Sequence, residues 1–164
     1  MPDCSVVEKS WGELSVEELY AILKLRTDVF FVEQRIDEEE LDGRDLEPAT
    51  RHFFIEDGRG VAAYLRVIAG ETPDTSGRPN APLVLGRVVV RADRRGEGLA
   101  QVLIGRAVER FGAEPLILHS QEYVQRLYAS FGFEPVGLPY VEAGLPHQSM
   151  RRPGRPAGTT PAPV

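Results

Sequence analysis

A strand that ends in a glycine turn and passes at once into a helix is the feature that most constrains this chain. Leu83 to Val90 is apolar and β-branched except for Gly86 and Arg87, the composition of a strand buried on both faces. From Leu99 onward Ala100, Leu103, Ala107 and Phe111, flanked by Ile104 and Val108, recur at helical spacing. Between them, Gly96 and Gly98 remove side chains that would keep a ligand off the backbone. A helix start leaves N–H groups unpaired and carries partial positive charge, so such a turn holds an anion. A dinucleotide fingerprint is excluded, because its third glycine position is occupied by Gln101, and a P-loop is excluded because no Gly-Lys-Ser/Thr follows. A tight turn that binds nothing fits the same two glycines.

At 164 residues the chain is long enough to bury a core without disulfides or metals, and it reads as one domain over 1–151. Residues 152–164 are Pro- and Gly-rich without apolar pattern, a disordered tail. Cys4 is the sole cysteine, which removes disulfide frameworks, thiolate clusters and redox pairs, and it lies far from the glycine turn. No apolar run approaches membrane-spanning length and no basic-then-apolar leader opens the chain, so a cytoplasmic protein without membrane contact is expected. The net charge of −6 argues against a nucleic-acid partner. All of that charge is accounted for by Glu33, Asp37, Glu38, Glu39, Glu40, Asp42, Asp45 and Glu47 set against Arg35 and Arg44. Such a segment is either a solvated loop or a rim that attracts a cationic substrate.

Val6-Val7 reads as a short first strand, and Ser15-Val16-Glu17-Glu18 as a capping box. Val16, Leu19, Tyr20, Ile22 and Leu23 then make a helix face, and Arg26 to Val32 continues as a second short helix or an irregular packed turn. Arg51 to Ile55 and Val61 to Ile68 flank the Asp57-Gly58 turn as a hairpin. Gly70 to Pro82 reads as a mobile loop. After the central strand, turn and helix, Leu116 to His119 is a short buried strand. Tyr123, Val124, Leu127, Tyr128 and Phe131 fall on one helical face that ends at Gly132. Phe133 to Val136 and Leu145 to Met150 are the last strands, joined by a Pro139–Gly144 connection. The pattern predicts an α/β or α+β sheet with helices on both faces.

Arg95-Gly96-Glu97-Gly98-Leu99-Ala100 matches R-x-x-G-x-[G/A] and resembles the acyl-CoA pyrophosphate loop of the GCN5-related N-acetyltransferases, the GNAT superfamily. Tyr128-Ala129-Ser130-Phe131-Gly132-Phe133 is similar to that family's Y-x-x-x-G-F. A narrower resemblance, to the ElaA-like branch of predicted acyltransferases, spans most of the chain. It rests on Leu25-Arg26, Val29 to Gln34, Asp42-Gly43 with Asp45, Arg51-His52, Ala63 to Arg66, Gly86-Arg87-Val88, Gln121 and Gly144 to His147. The resemblance implies a mixed sheet splayed between the fourth and fifth strands, with acetyl-CoA as co-substrate entering the gap. It further implies N-acetyl transfer to an amine of a small molecule or peptide by direct attack in a ternary complex. The alternative is a non-catalytic module that binds acyl-CoA.

Such a transfer sets chemical requirements. A lysine-like amine is neutral at pH 7 only about one time in 2,500, so removing its proton costs roughly 4–5 kcal/mol and calls for a base. The carbonyl needs a donor where negative charge develops, and the departing sulfur benefits from another. By the resemblance, Val88, Val89 and Val90 offer backbone N–H groups to the thiol arm and carbonyl, where ordinary strand pairing is the competing reading. The amides of Arg95, Gly96, Glu97, Gly98, Leu99 and Ala100 would take the pyrophosphate, with Arg95 as counter-charge. Tyr128 matches the tyrosine that donates to the leaving sulfur, unless it is only a core aromatic. Gln121 stands where the family often has a cofactor-touching asparagine. Glu33, whose pKa burial behind an apolar run would raise, and His147, nearer the right resting pKa, compete as base. His52 and His119 suit core or strand positions, and no His/Asp/Glu set has metal-ligand spacing.

Overall fold

The computed structural model describes residues 4–70 and 81–155. Its frame is a mixed sheet that begins with β1 (Val7–Lys9), β2 (Arg51–Asp57), β3 (Gly60–Ala69) and β4 (Leu83–Val90), each antiparallel to the one before. β5 (Leu116–Gln121) then pairs parallel to β4, but only at Leu83 with Leu116 and Val84 with Ile117. Beyond Val84 the two strands separate, so the sheet splays between the fourth and fifth strands as the resemblance implies. β6 (Glu134–Pro135), β7 (Tyr140–Glu142) and β8 (Leu145–Arg152) complete the far side, with β8 antiparallel to β5.

Two apolar layers enclose this sheet. α1 (Val16–Arg26) is started by the Ser15–Glu18 capping box and packs Ile22 and Leu25 against Phe54, Tyr64 and Val89. α2 (Leu99–Phe111) packs Leu99, Leu103, Ile104 and Ala107 on the opposite face, among Phe53, Ile55, Leu65 and Leu85. Alternation along β2 and β3 divides these residues between the layers, since successive strand side chains point to opposite faces. Cys4 packs against the α2 layer.

Several local expectations change in the folded chain. Val16 and Tyr20 are exposed; the buried stripe of α1 is instead Ile22, Leu25 and Arg26, rotated toward the sheet. Residues 27–33 form a π-helix, Thr27–Glu33, which continues α1 with a wider turn and buries Val29. Leu83 to Val90 is not buried on both faces: Leu85 and Val89 are, while Val84, Val88 and Val90 are half-buried. The helix expected to bury Tyr123 is shorter, a 3-10 turn (Glu122–Val124) leading into α3 (Gln125–Ala129), and Tyr123 is exposed. The Pro139–Gly144 connection contains β7, which forms a hairpin with β8 through Ala143 and Gly144, both at positive φ. β8 runs through Arg152, placed in the tail by composition; its buried side chain donates to the Phe131 carbonyl at 3.0 Å. Residues 71–80 of the expected mobile loop and 156–164 of the tail lie outside the described residues.

Candidate active site

Where β4 and β5 part, the gap opens into a cavity of about 730 Å³. Its β4 wall is shaped by a bulge. Tyr64 faces Val89 and Arg66 faces Gly86, so Leu65 is matched by two residues, Arg87 and Val88. The main chain beyond the bulge points into the gap. Arg91 N–H donates back to Ala62 O of β3 at 2.8 Å, so the Val90 main chain turns the other way, and Val90 O accepts from Arg95 Nε at 3.2 Å. By the same alternation Val88 presents its main chain on that open side. Val88, Val89 and Val90 all line the cavity.

Of the glycine turn, Arg95 and Ala100 line the cavity, while Gly96, Glu97, Gly98 and Leu99 lie outside its lining. Gly96 has φ 81 and Gly98, the N-cap of α2, has φ 79, values that L side chains rarely adopt. Among the described residues a Cβ at Gly96 would meet nothing within 4 Å, and one at Gly98 only Gln101 Oε1 at 3.9 Å. The glycines are therefore required by conformation, with open space above them. Among the described residues no side chain caps α2, so the N–H groups of its first turn have no internal acceptor there. The loop's own acid is neutralised: Glu97 receives both oxygens' hydrogen bonds from Arg94 Nε at 2.9 Å. Arg95, expected as counter-charge, forms a two-pronged pair with Glu33 at 2.6 and 2.8 Å.

That pairing corrects the reading of Glu33 as a buried, proton-holding base. Its side chain is half-exposed, lies outside the cavity lining, and is held below the ordinary carboxylate range by hydrogen bonds from Arg95. Tyr128, His147 and Gln121 line the cavity. Tyr128 is buried, its ring packs edge-to-face on Phe133, and its hydroxyl makes no hydrogen bond to protein among the described residues. Burial, reinforced by Tyr123, pushes its pKa up to about 12. His147 is buried on β8 and lies opposite Gln121 of β5. Its Nδ1–H donates to the Leu145 carbonyl at 2.8 Å, which leaves Nε2 with the lone pair, 3.7 Å from Glu142 Oε2. Gln121 donates from Nε2 to Gln34 Oε1 at 3.2 Å. His52 is a core residue: its Nε2–H donates to Asp45 O, Tyr64 hydroxyl donates to Nδ1, and burial lowers its pKa. His119 is exposed beside Tyr140 and Ser149.

The acidic segment is neither a solvated loop nor simply a rim. Glu40, Asp42 and Asp45 are matched by Arg26, Arg66 and Arg87, which come from α1, β3 and β4. Burial opposes charge on Asp45, but the guanidinium groups of Arg26 and Arg66 outweigh it and hold the carboxyl below its ordinary range. Glu38 and Glu39 also line the cavity and have no ion-pair partner among the described residues. Gln34, Arg87 and Glu142 line it as well and received no role from sequence. Arg87 carried a signal, being the one charged residue in a run otherwise composed for a buried strand; such a residue needs an acid from elsewhere.

Comparison with known proteins agrees with this architecture. Residues 16–153 match the model of the acetyltransferase (GNAT) domain. Protein ElaA of Escherichia coli is 38% identical over 145 residues, covering 86% of this chain and 91% of that protein. A UPF0039 protein of Mycobacterium tuberculosis, Rv2851c, is 36% identical over 150 residues, covering 90% and 93%. An acyl-CoA N-acyltransferase from Pseudomonas aeruginosa superposes with a TM-score of 0.80 at 36% identity, over 90% of this chain and 98% of its own. The splayed sheet, the uncapped glycine turn and the buried tyrosine are thus those of a chain that belongs to the GNAT acyltransferase family.

Proposed function

We propose that this protein moves the acetyl group of acetyl-CoA to an amine of a small molecule or peptide by direct attack within a ternary complex. The observation that carries the proposal is the Tyr128 side chain, which lines the cavity with its hydroxyl unpartnered by protein among the described residues. A phenol that lines a cavity and has no protein acceptor is free to donate a hydrogen bond to a bound ligand.

The residues present fit acyl-CoA. The uncapped first turn of α2 with Gly96 and Gly98 suits a diphosphate, and the main chain of Val88 and Val90 suits the amide-bearing thiol arm. When bound, acyl-CoA supplies a thioester carbonyl open to nucleophilic attack. Val88 and Val90 N–H groups orient that carbonyl and donate to its oxygen as charge develops. Tyr128 keeps its proton throughout the working range and donates a hydrogen bond at the sulfur. His147 Nε2 takes the amine's proton, while Nδ1 stays committed to Leu145 O. Gln121 and Gln34 border the same space.

Charge favours a cationic acceptor. Arg66, Arg87 and Arg95 all face the cavity already paired, whereas Glu38 and Glu39 face it unpaired among the described residues. Polyamines, aminosugars and peptide amines are the classes to try first. Calorimetry with acetyl-CoA, followed by thiol release with those amines, tests the proposal. Tyr128→Phe is expected to lower turnover by about 10²-fold or more while acetyl-CoA affinity changes little. Equal loss of both would assign Tyr128 to packing. Binding without thiol release from any amine would instead indicate a non-catalytic acyl-CoA module, and no binding at millimolar ligand would end the proposal.

A further inference from the structure

The β4 bulge holds a side chain where glycine would be at ease. Arg87 has φ 54, although glycine stands one position earlier. A strained non-glycine conformation persists only where its surroundings determine it. Here the surroundings are one segment. Arg87 Nε lies 2.9 Å from Glu40 Oε2, an ion pair poorly aligned for a hydrogen bond, and Nη2 donates to Glu40 O at 3.3 Å. Nη2 is also 3.5 Å from Asp42 Oδ2.

Glu40 and Asp42 sit in an irregular stretch, residues 35–43, several of whose side chains line the cavity. A stretch without backbone ladders depends on side-chain ties for its position. Three arginines supply them: Arg26 from α1, Arg66 from β3 and Arg87 from β4. Arg87 alone comes from the strand that opens toward the gap. The peptide group joining Arg87 to Val88 also contains the Val88 N–H, which faces that gap. A ligand accepting from Val88 N–H therefore restrains ψ of Arg87, and with it the direction in which the guanidinium leaves the strand.

We propose that Arg87 is a positioning residue coupling the two halves of the site: a ligand on the open edge of β4 orders the bulge, and Arg87 passes that order to residues 38–44, where the acceptor is received. The inference rests on the acyl-CoA reading above. Linkage makes the coupling reciprocal, so an acceptor that settles residues 38–44 also favours the β4 conformation that holds acyl-CoA.

Amide hydrogen exchange on the full chain, with CoA as the probe, tests it. In the unaltered protein CoA is expected to slow exchange across residues 88–100 and, by about fivefold or more, across 38–44. Arg87→Gly retains the bulge geometry without strain and removes the guanidinium. In that variant CoA still slows 88–100, but 38–44 exchanges at one rate with and without CoA. Arg87→Lys, with a charge but no planar fork, keeps only part of the response and decides the matter if the glycine variant does not fold. A silent 38–44 segment beside a protected 88–100 overturns the coupling, as does a full response in either variant. If 88–100 is itself silent, acyl-CoA binding fails and the proposed function falls with the coupling.

Discussion

Glu33 and Tyr128 show how environment divides two polar groups that sequence offered to the chemistry, one as a base in competition with His147 and the other as donor to the leaving sulfur. Glu33 follows the apolar run Val29 to Val32, and burial there would have raised its pKa toward that of a useful base. The π-helix instead leaves Phe31, Val32 and Glu33 on its outer side, where Arg95 claims the carboxylate. Tyr128 meets the opposite fate: its side chain is buried, which pushes its pKa up to about 12, and its hydroxyl finds no protein partner among the described residues. Glu33→Gln is accordingly expected to leave turnover at saturating acetyl-CoA within about threefold of the parent, well short of the 10²-fold or greater loss expected for a general base. The freed Arg95 is expected to keep or improve acetyl-CoA affinity, because the charge opposing a diphosphate is gone. Steady-state kinetics with calorimetry separates the two quantities. A loss of turnover on the base scale would restore Glu33 to the chemistry.

At the scale of elements, the glycine turn was the most legible part of the chain, because its requirement is local. Gly96 and Gly98 have φ values near 80°, and a helix must begin where the apolar period begins. The hairpin at Asp57-Gly58 and the capping box at Ser15 were legible for the same reason. The wall opposite was not. The bulge at Arg87 depends on how β3 and β4 align, and the π-helix depends on packing Val29 against Phe54 and Tyr64, which lie far along the chain. β7 escaped notice because Tyr140 to Glu142 is too short to show a period, and its turn uses Ala143 at φ 50 rather than an Asn-Gly pair. Gly98→Val tests whether the turn serves a ligand. A β-branched residue at positive φ is expected to cost the fold roughly 1–2 kcal/mol, read by urea denaturation. Acetyl-CoA affinity is expected to fall tenfold or more, as the first-turn amides move and a side chain stands over them. Loss of stability alone, with affinity intact, would reduce the turn to architecture.

For the molecule as a whole, the acidic segment matters more than its composition implied. Eight acids within fifteen residues read as solvent-facing because their partners, Arg26, Arg66 and Arg87, are scattered over three elements and look like ordinary charged positions. Folding gathers them into an arrangement in which three guanidinium groups meet three carboxylates. Asp45 stands at its inner end between Arg26 at 2.8 Å and Arg66 at 3.0 Å, and its carbonyl accepts from the buried His52. Arg26 additionally lies over the Tyr64 ring, 5.5 Å from its centroid. The network thus joins α1, the irregular segment and the central strands, and its Glu40, Asp42, Arg66 and Arg87 form part of the cavity wall. Buried ion pairs contribute little net stability relative to well-packed apolar groups, but removing one partner leaves a charge without compensation. Asp45→Asn keeps the volume and removes the charge between two buried arginines. It is expected to destabilise the fold by about 3–5 kcal/mol in equilibrium urea unfolding. Arg66→Met in the same background is expected to recover part of that loss, since one stranded cation disappears with it. Additive losses in the double variant would mean that the two residues act independently, and that the network is a set of neighbours rather than a unit.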